Sequence, residues 1–260
     1  MTAVDFAAFV ETLATHSGDA ILPFFRTSLA ALDKSTNGAF DPVTEADRAG
    51  EVAMRRLINA HFPSHGILGE EFGAERRDAE YVWVLDPIDG TKAFICGLPI
   101  WGTLIGLTRH GRPVYGLMNQ PFSRERFSGD CEAARYEGPA GPRSLRVRAC
   151  AEVSAAVIST THPGMMAPAE RQYFDRLEAR AKMSRYGGDC YAYAMLAAGH
   201  IDLVVESGLK PYDIVAIIPI IEGAGGVITS WSGGNPSGGG SIIAAGDRRA
   251  HEEALAILNS

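Results

Sequence analysis

Trp83-Val84-Leu85-Asp86-Pro87-Ile88-Asp89-Gly90-Thr91 is the most informative stretch of this 260-residue chain. The apolar run from Tyr81 predicts a strand that delivers Asp86 at its end. Pro87 has no N–H with which to continue a ladder, and Asp89 follows three residues after Asp86, so both carboxylates can converge on one point. The Ile88 carbonyl can add a third oxygen. Gly90 and Thr91 lead into a short helix expected over Lys92 to Ile95, whose free backbone N–H groups would face an anion. An ordinary D-P-x-D-G turn with Asp86 as a cap is the competing reading, so the stretch must be weighed with the other acids of the chain.

Four of those acids stand where strands and helices are expected to begin or end. Gly69-Glu70-Glu71 follows the strand residues Ile67-Leu68, and because successive side chains of a strand point to opposite faces, only one glutamate is expected at the inside. Glu70 is taken as the inner one, with Glu71 further out. Asp213, after Lys210-Pro211-Tyr212, begins an apolar helix, where capping and metal ligation would place it equally well. Asp47 lies in Thr44-Glu45-Ala46-Asp47, a helix start that Thr44 can cap. Carboxylates without His or Cys companions suit a hard divalent cation, Mg²⁺ or Mn²⁺ before zinc.

Absences narrow the chemistry. There is no H-E-x-x-H, G-x-S-x-G or G-x-G-x-x-G, and the seven histidines are scattered singly, so zinc-protease, α/β-hydrolase and dinucleotide readings lose their support. The net charge of −7 and the lack of a basic run argue against nucleic-acid binding. The longest apolar stretch, Ile214 to Ile221, contains Pro219 and is far shorter than the roughly 20 residues that span a bilayer, so no membrane association is expected. The start, Met1 to Asp5, lacks a charged-then-apolar segment, which favours the cytoplasm. Cys96, Cys131, Cys150 and Cys190 lie far apart and are expected to be buried or partly buried thiols rather than disulfides or zinc ligands.

Hydrophobic periodicity predicts a long first helix ending near Asp33, perturbed around Gly18, and a second from Thr44 to about His61. Short extended runs follow at Ile67 to Glu70, Tyr81 to Asp86, Thr103 to Thr108 and Val114 to Asn119, giving two helices against an antiparallel sheet. Gly138 to Pro142 reads as a hairpin tip or a soft linker. Beyond it, strands at Ala155 to Thr160, Ile201 to Glu206, Val227 to Ser230 and Ser241 to Ala245 mix with helices at Pro168 to Lys182, Asp189 to Gly199, Asp213 to Ala224 and Asp247 to Leu258. This is α/β character. Residues 1–148 are therefore expected to form an N-terminal α+β part with most of the acids, and residues 149–260 a C-terminal α/β part with Asp213.

Taken together, Asp41-Pro42-Val43-Thr44-Glu45-Ala46-Asp47, Gly69-Glu70-Glu71, Trp83 to Thr91, and Tyr212-Asp213 followed by Gly223-Ala224-Gly225-Gly226 resemble the inositol monophosphatase superfamily of magnesium-dependent, lithium-sensitive phosphatases. The resemblance implies a five-layered α-β-α-β-α sandwich of the inositol monophosphatase and fructose-1,6-bisphosphatase type, a homodimer, and up to three Mg²⁺ per active site. Carried over by position, Glu70, Asp86 and the Ile88 carbonyl would hold one ion, Asp86, Asp89 and Asp213 a second, and Glu70 with help from Asp47 and Glu71 a third. Thr91 and Glu70 would position the attacking water, and the amides of Gly90 and Thr91 would hold the phosphate of a small phosphomonoester. A non-catalytic metal- and anion-binding protein is the different-class alternative.

Departures from the inositol branch bear on substrate. Lys92-Ala93-Phe94 stands where that branch commonly has T-N-F, Tyr212 replaces its Trp, and Asp189 stands where a small residue is usual. These segments, with Cys190-Tyr191, Leu98 to Leu104 and Lys210 to Asp213, are more similar to the histidinol-phosphate phosphatase branch. Histidinol phosphate carries an ammonium and an imidazole, which acidic Asp189 and Glu206 would complement better than neutral hydroxyls. Asp189 as a helix N-cap, and an inositol-phosphate or broad sugar-phosphate substrate, are the alternatives.

Overall fold

Pro23 ends the first helix. The structure, a computed structural model, describes residues 6–27, 32–33, 42–43 and 45–260. Within it α1 (Phe6–Ile21) gives way to a 3₁₀ turn at Leu22–Phe24, well before the end near Asp33 that periodicity predicts. Pro23 lacks an N–H and crowds the carbonyl four residues back. Leu32–Asp33 is instead strand β1, paired antiparallel with β2 (Pro42–Val43). The second helix, α2 (Glu45–His61), matches expectation. The Thr44 cap, the start of the Asp41 motif and the Lys34 to Phe40 loop lie outside the described residues.

The next strands are β3 (Gly66–Gly69), β4 (Gly73–Glu75) and β5 (Tyr81–Asp89), followed by the short helix α3 (Thr91–Ile95). Then come β6 (Gly102–Arg109), β7 (Arg112–Gln120), β8 (Glu125–Gly129), β9 (Ala134–Glu137) and β10 (Arg143–Ser144). They form one eight-stranded sheet in the order β10-β9-β8-β7-β6-β5-β3-β4. The expected antiparallel sheet needs one correction: β3 and β5 are parallel, because β4 takes the outer edge of β3 and the chain returns on its other side. Gly138 to Pro142 is the tip of the β9–β10 hairpin and not a linker. Strands β4, β8, β9 and β10 escape sequence reading because each is five residues or fewer and rich in charge.

The second half supplies β11 (Val157–Thr160), α4 (Pro168–Glu178), β12 (Met183–Tyr186), α5 (Asp189–Ala197) and β13 (Leu203–Leu209). It closes with α6 (Pro211–Ile214), α7 (Ile217–Gly223), β14 (Val227–Ser230), β15 (Gly240–Ala245) and α8 (Arg248–Leu258). The five strands order as β12-β11-β13-β15-β14. Two helices of this half depart most from prediction. The one expected to reach Lys182 stops at Glu178, leaving room for β12, and the one expected over Asp213 to Ala224 is two pieces. Pro219 cannot donate to the Val215 carbonyl, and the helix opens there.

Three core clusters define the layers. Val10, Leu13, Met54 and Ile58 of α1 and α2 pack on Trp83, Leu85, Ile105 and Leu117 of the large sheet. The opposite face of that sheet, with Leu104, Met118 and Phe127, packs on α5 to α7, which in turn meet Val204, Ile242 and Ala244 of the small sheet. Ile158, Leu203, Val205 and Ile243 then pack on Phe174 of α4 and Ala254 of α8. This is the five-layered α-β-α-β-α sandwich that the resemblance implies.

One row of small residues seats the middle layer. Gly106, Gly116 and Gly129 are register neighbours on β6, β7 and β8. A Cβ on Gly116 would lie 1.8 Å from the Ala216 carbonyl oxygen, and one on Gly129 would lie 2.4 Å from that of Pro219. The glycines therefore make a furrow that lets the Val215 to Ile220 backbone lie directly on the sheet. That seating carries α6, and Asp213 with it, toward the end of β5.

All four cysteines are unpaired. Cys190 is buried and Cys131 and Cys150 are partly so, but Cys96, expected to be covered, is exposed just after α3.

Candidate active site

The end of β5 carries one extra residue. Asp86 pairs with Leu104 and Asp89 with Gly102, three steps against two, which is a bulge centred on Pro87. Thr103 Oγ1 donates to the Pro87 carbonyl at 2.8 Å, and Thr91 Oγ1 donates to the Ile88 carbonyl at 3.1 Å, so the turn is held from both sides. The Ile88 carbonyl thus already accepts one hydrogen bond and keeps its second lone pair. Gly90, at φ +87°, occupies the left-handed region that admits glycine without strain, and turns the chain into α3.

Asp213 arrives from the other half. It is the third residue of α6, and its Oδ2 accepts the Lys210 N–H at 2.6 Å, so it braces the helix start. Asp86, Asp89 and Asp213 each place a carboxylate oxygen within 4.8 Å of the others. Asp213 is thus not the N-cap expected from sequence but the third residue of the helix, and it both closes the helix start and joins the cluster.

The electrostatics of this trio are unfavourable for protein alone. Burial pushes Asp86 well above the usual carboxylate range, and the negative charges of Glu70, Asp89, Asp213 and Asp47 push it further. Asp89 is raised in the same way by desolvation and by Asp189 and Asp213, against the opposing Cys190 N–H. Asp86 is only 1% exposed, and its Oδ1 has no hydrogen-bond partner among the described residues. A buried oxygen without a donor, inside an all-oxygen set, fits a hard divalent cation of the Mg²⁺ type.

Glu70 and Asp47 stand at the margin of the trio. Glu70 follows β3, and its N–H donates to the Leu85 carbonyl at 3.2 Å, beside Asp86. Asp47 is buried on the first turn of α2. Both bear on Asp86 through their charge. The Glu71 side chain is itself almost wholly buried, its Oε2 3.7 Å from Arg48 Nε.

A cleft of about 220 Å³ opens from Asp89 and Asp213 past Thr91, Lys92 and Met165 to Asp189 and Glu206. Asp189 does not cap α5 with its side chain; the first-turn N–H of Cys190 goes instead to Asp89 Oδ2 at 2.6 Å. Asp189 has φ +43°, a conformation that Asp tolerates better than most residues, and packs on Gly90, where a Cβ would sit 3.2 Å from its Oδ2. Its carboxyl is raised by desolvation, opposed by a hydrogen bond from Thr161 and the charge of Lys92. Glu206 is buried, accepts Thr161 N–H at 2.6 Å, Thr161 Oγ1 at 2.9 Å and Thr160 Oγ1 at 3.2 Å, and is pushed by desolvation up to about 7. A larger cleft, about 810 Å³, runs between α1 and the β9–β10 hairpin and touches none of the predicted site residues.

Sequence reasoning missed Thr161, which links both specificity candidates, and Glu51, which lies beneath the Glu70 turn. Thr161 follows an apolar strand and Glu51 lies one helical turn beyond Asp47, so spacing offered a faint signal for each.

The chain is similar to known proteins over nearly its whole length. The profile of the Inositol monophosphatase family matches residues 3–260. The chain is 42% identical over 265 residues to the bifunctional phosphatase IMPL2, chloroplastic, of Arabidopsis thaliana, covering 97% of this chain and 75% of that protein. It is 34% identical to a histidinol-phosphatase of Chlorobaculum parvum, covering 85% of this chain and 84% of the relative. An inositol monophosphatase structure from Zymomonas mobilis superposes with a TM-score of 0.87 at 39% identity, covering 99% of this chain and all of the other. With the sandwich, the motifs and the carboxylate trio in agreement, the chain belongs to the inositol monophosphatase family of phosphatases.

Proposed function

We propose that this phosphatase releases inorganic phosphate from L-histidinol phosphate in a Mg²⁺-dependent reaction, as a step of histidine synthesis. The observation that carries the chemistry is the convergence of Asp86, Asp89 and Asp213 from two distant segments. Glu70, Asp86, the Ile88 carbonyl, Asp89 and Asp213 would hold the cations, up to three, with Asp47 and Glu71 in support. Bound there, divalent cations would acidify water and neutralise charge on the phosphoryl and leaving oxygens, the two requirements of this very slow hydrolysis.

The protein's own groups do the rest. Thr91 Oγ1 and the Glu70 carboxylate orient the attacking water, and the backbone N–H groups of Gly90 and Thr91 hold the phosphate at the start of α3. Asp189 and Glu206 face the leaving group from the cleft wall. A cationic group beside them would hold both carboxylates ionised against their burial, which favours a cationic leaving group over a neutral polyol. The Chlorobaculum relative, a histidinol-phosphatase, supports that choice, and the Zymomonas protein, an inositol monophosphatase, supports inositol phosphate as the second reading. We further infer a cytoplasmic, lithium-sensitive homodimer. Among the described residues no helix is long and apolar enough to cross a membrane.

The test is kcat/KM on L-histidinol phosphate and myo-inositol 1-phosphate under one Mg²⁺ concentration. Preference for the first supports the proposal, and preference for the second reassigns the substrate. Absence of metal-dependent release from either, and from a panel of sugar phosphates as well, would favour the non-catalytic binding protein.

A further inference from the structure

Asp47, Glu51 and Arg55 lie one helical turn apart along α2, and all three are buried. Asp47 bears on Asp86, while the other two face the turn between β3 and β4. Glu51 is wholly enclosed. Its Oε2 accepts the Glu71 N–H at 2.7 Å, its Oε1 accepts the Phe72 N–H at 3.2 Å, and Arg55 Nε donates to Oε1 at 2.6 Å. Arg55 continues to Glu75 Oε1 at 2.5 Å and to the Gly73 carbonyl. Two side chains thus hold residues 71–75 at four points.

Gly69 completes the clamp. A Cβ there would lie 2.0 Å from Glu51 Oε1, so only a residue without one lets the carboxylate pass beneath the end of β3. Glu70 sits between Gly69 and the two amides that Glu51 accepts. A buried ion pair contributes little stability beyond what an apolar filling would give, so its consequence here is geometric: it fixes where the turn backbone runs.

We infer that Glu51 is a positioning residue for Glu70, setting the approach of the Glu70 carboxylate to the Asp86 cluster through the amides of Glu71 and Phe72. The inference rests on the reading of Glu70 as a cation ligand. Partners that orient metal ligands typically change metal affinity by about 10–100-fold when removed.

The experiment is calorimetric Mg²⁺ titration without substrate of wild type, E51Q, E51D, E70Q and E51Q/E70Q, with amide hydrogen exchange at Glu71 and Phe72. E51Q keeps the shape but puts an amide N–H₂ where a carboxylate oxygen accepted. E51D keeps the charge but loses the reach. Both are expected to weaken Mg²⁺ binding about tenfold and to speed exchange at the two amides. E70Q weakens binding as well, and the double variant binds no worse than E70Q, because Glu51 acts through Glu70. Wild-type affinity in both E51 variants beside a weakened E70Q would overturn the inference and leave the ligand reading standing. Additive losses in the double variant, or full affinity in E51D, would also overturn it, since Glu51 would then act by charge alone. Unchanged affinity in E70Q would remove the ground of both.

Discussion

Asp89 accepts the backbone N–H of Cys190 through Oδ2 at 2.6 Å, joining residues 101 positions apart. A carboxylate of the β5 turn therefore satisfies an orphan donor at the start of α5. One bond does two things. It fixes the orientation of Asp89 toward Asp86 and Asp213, and it frees the Asp189 carboxylate to line the cleft.

Asp86→Asn separates stability from activity. The Asp86 charge is penalised by burial and by neighbouring carboxylates, so an isosteric amide relieves the metal-free protein. In EDTA, Tm should rise by a few degrees, at roughly 2–4 °C per kcal/mol for a chain of this size. Metal-dependent phosphate release should fall at least about 10³-fold, and the Tm increase on adding Mg²⁺ should shrink. A lower Tm in EDTA with near-normal turnover would refute both roles.

Asp189→Asn tests the substrate. Asn tolerates the left-handed backbone at this position, so the variant removes charge without adding strain. Loss of a buried charge partner costs about 2 kcal/mol or more, so kcat/KM for L-histidinol phosphate should fall at least about 30-fold. The value for myo-inositol 1-phosphate should hold or rise. Parallel changes on the two substrates would show that Asp189 does not select the leaving group.

The pH dependence of the metal-free protein has a definite sign. Glu206 has an ordinary value of 4.5 and is raised to about 7 in the fold. Its contribution to stability is complete below pH 4.5 and is lost as pH rises through 7. Asp86 and Asp89, also raised, act in the same direction. Melting in EDTA should therefore show Tm falling from about pH 5 to about pH 8, with a shallower fall in Glu206→Gln. Equal slopes would contradict the assignment.

Gly116→Ala probes the seating of α6 and α7. Its Cβ would stand 1.8 Å from the Ala216 carbonyl oxygen, a collision of backbone with backbone that no rotamer can relieve. Overpacking of this kind costs about 3 kcal/mol, and the displaced α6 carries Asp213. Tm should drop by roughly 6–12 °C, and Mg²⁺ affinity should fall with it. An unshifted Tm would mean that the middle layer does not rest in the glycine furrow.

The legible parts of the sequence were those where local chemistry decides the structure. Pro87 and Gly90 announce the β5 turn, and the 3.6-residue period of α2 is carried by its own apolar face. Tertiary pairing decided the rest. β8 and β12 have too few apolar residues to declare themselves, and β3 and β5 are parallel only because β4 occupies an edge. At the site, Asp86, Asp89 and Asp213 could be named from spacing and resemblance. The donor that Asp89 serves, the threonines that hold Glu206 and the Glu51 clamp depend on contacts between segments that no local pattern encodes.

Calorimetric Mg²⁺ titration of wild type beside Asp86→Asn, Asp89→Asn and Asp213→Asn is the sharpest test of the shared cation site. If three carboxylates from two distant segments hold one cation, each single substitution should weaken Mg²⁺ binding at least about tenfold, and each variant should remain folded by circular dichroism. Wild-type Mg²⁺ affinity in any two of the three would contradict a shared site.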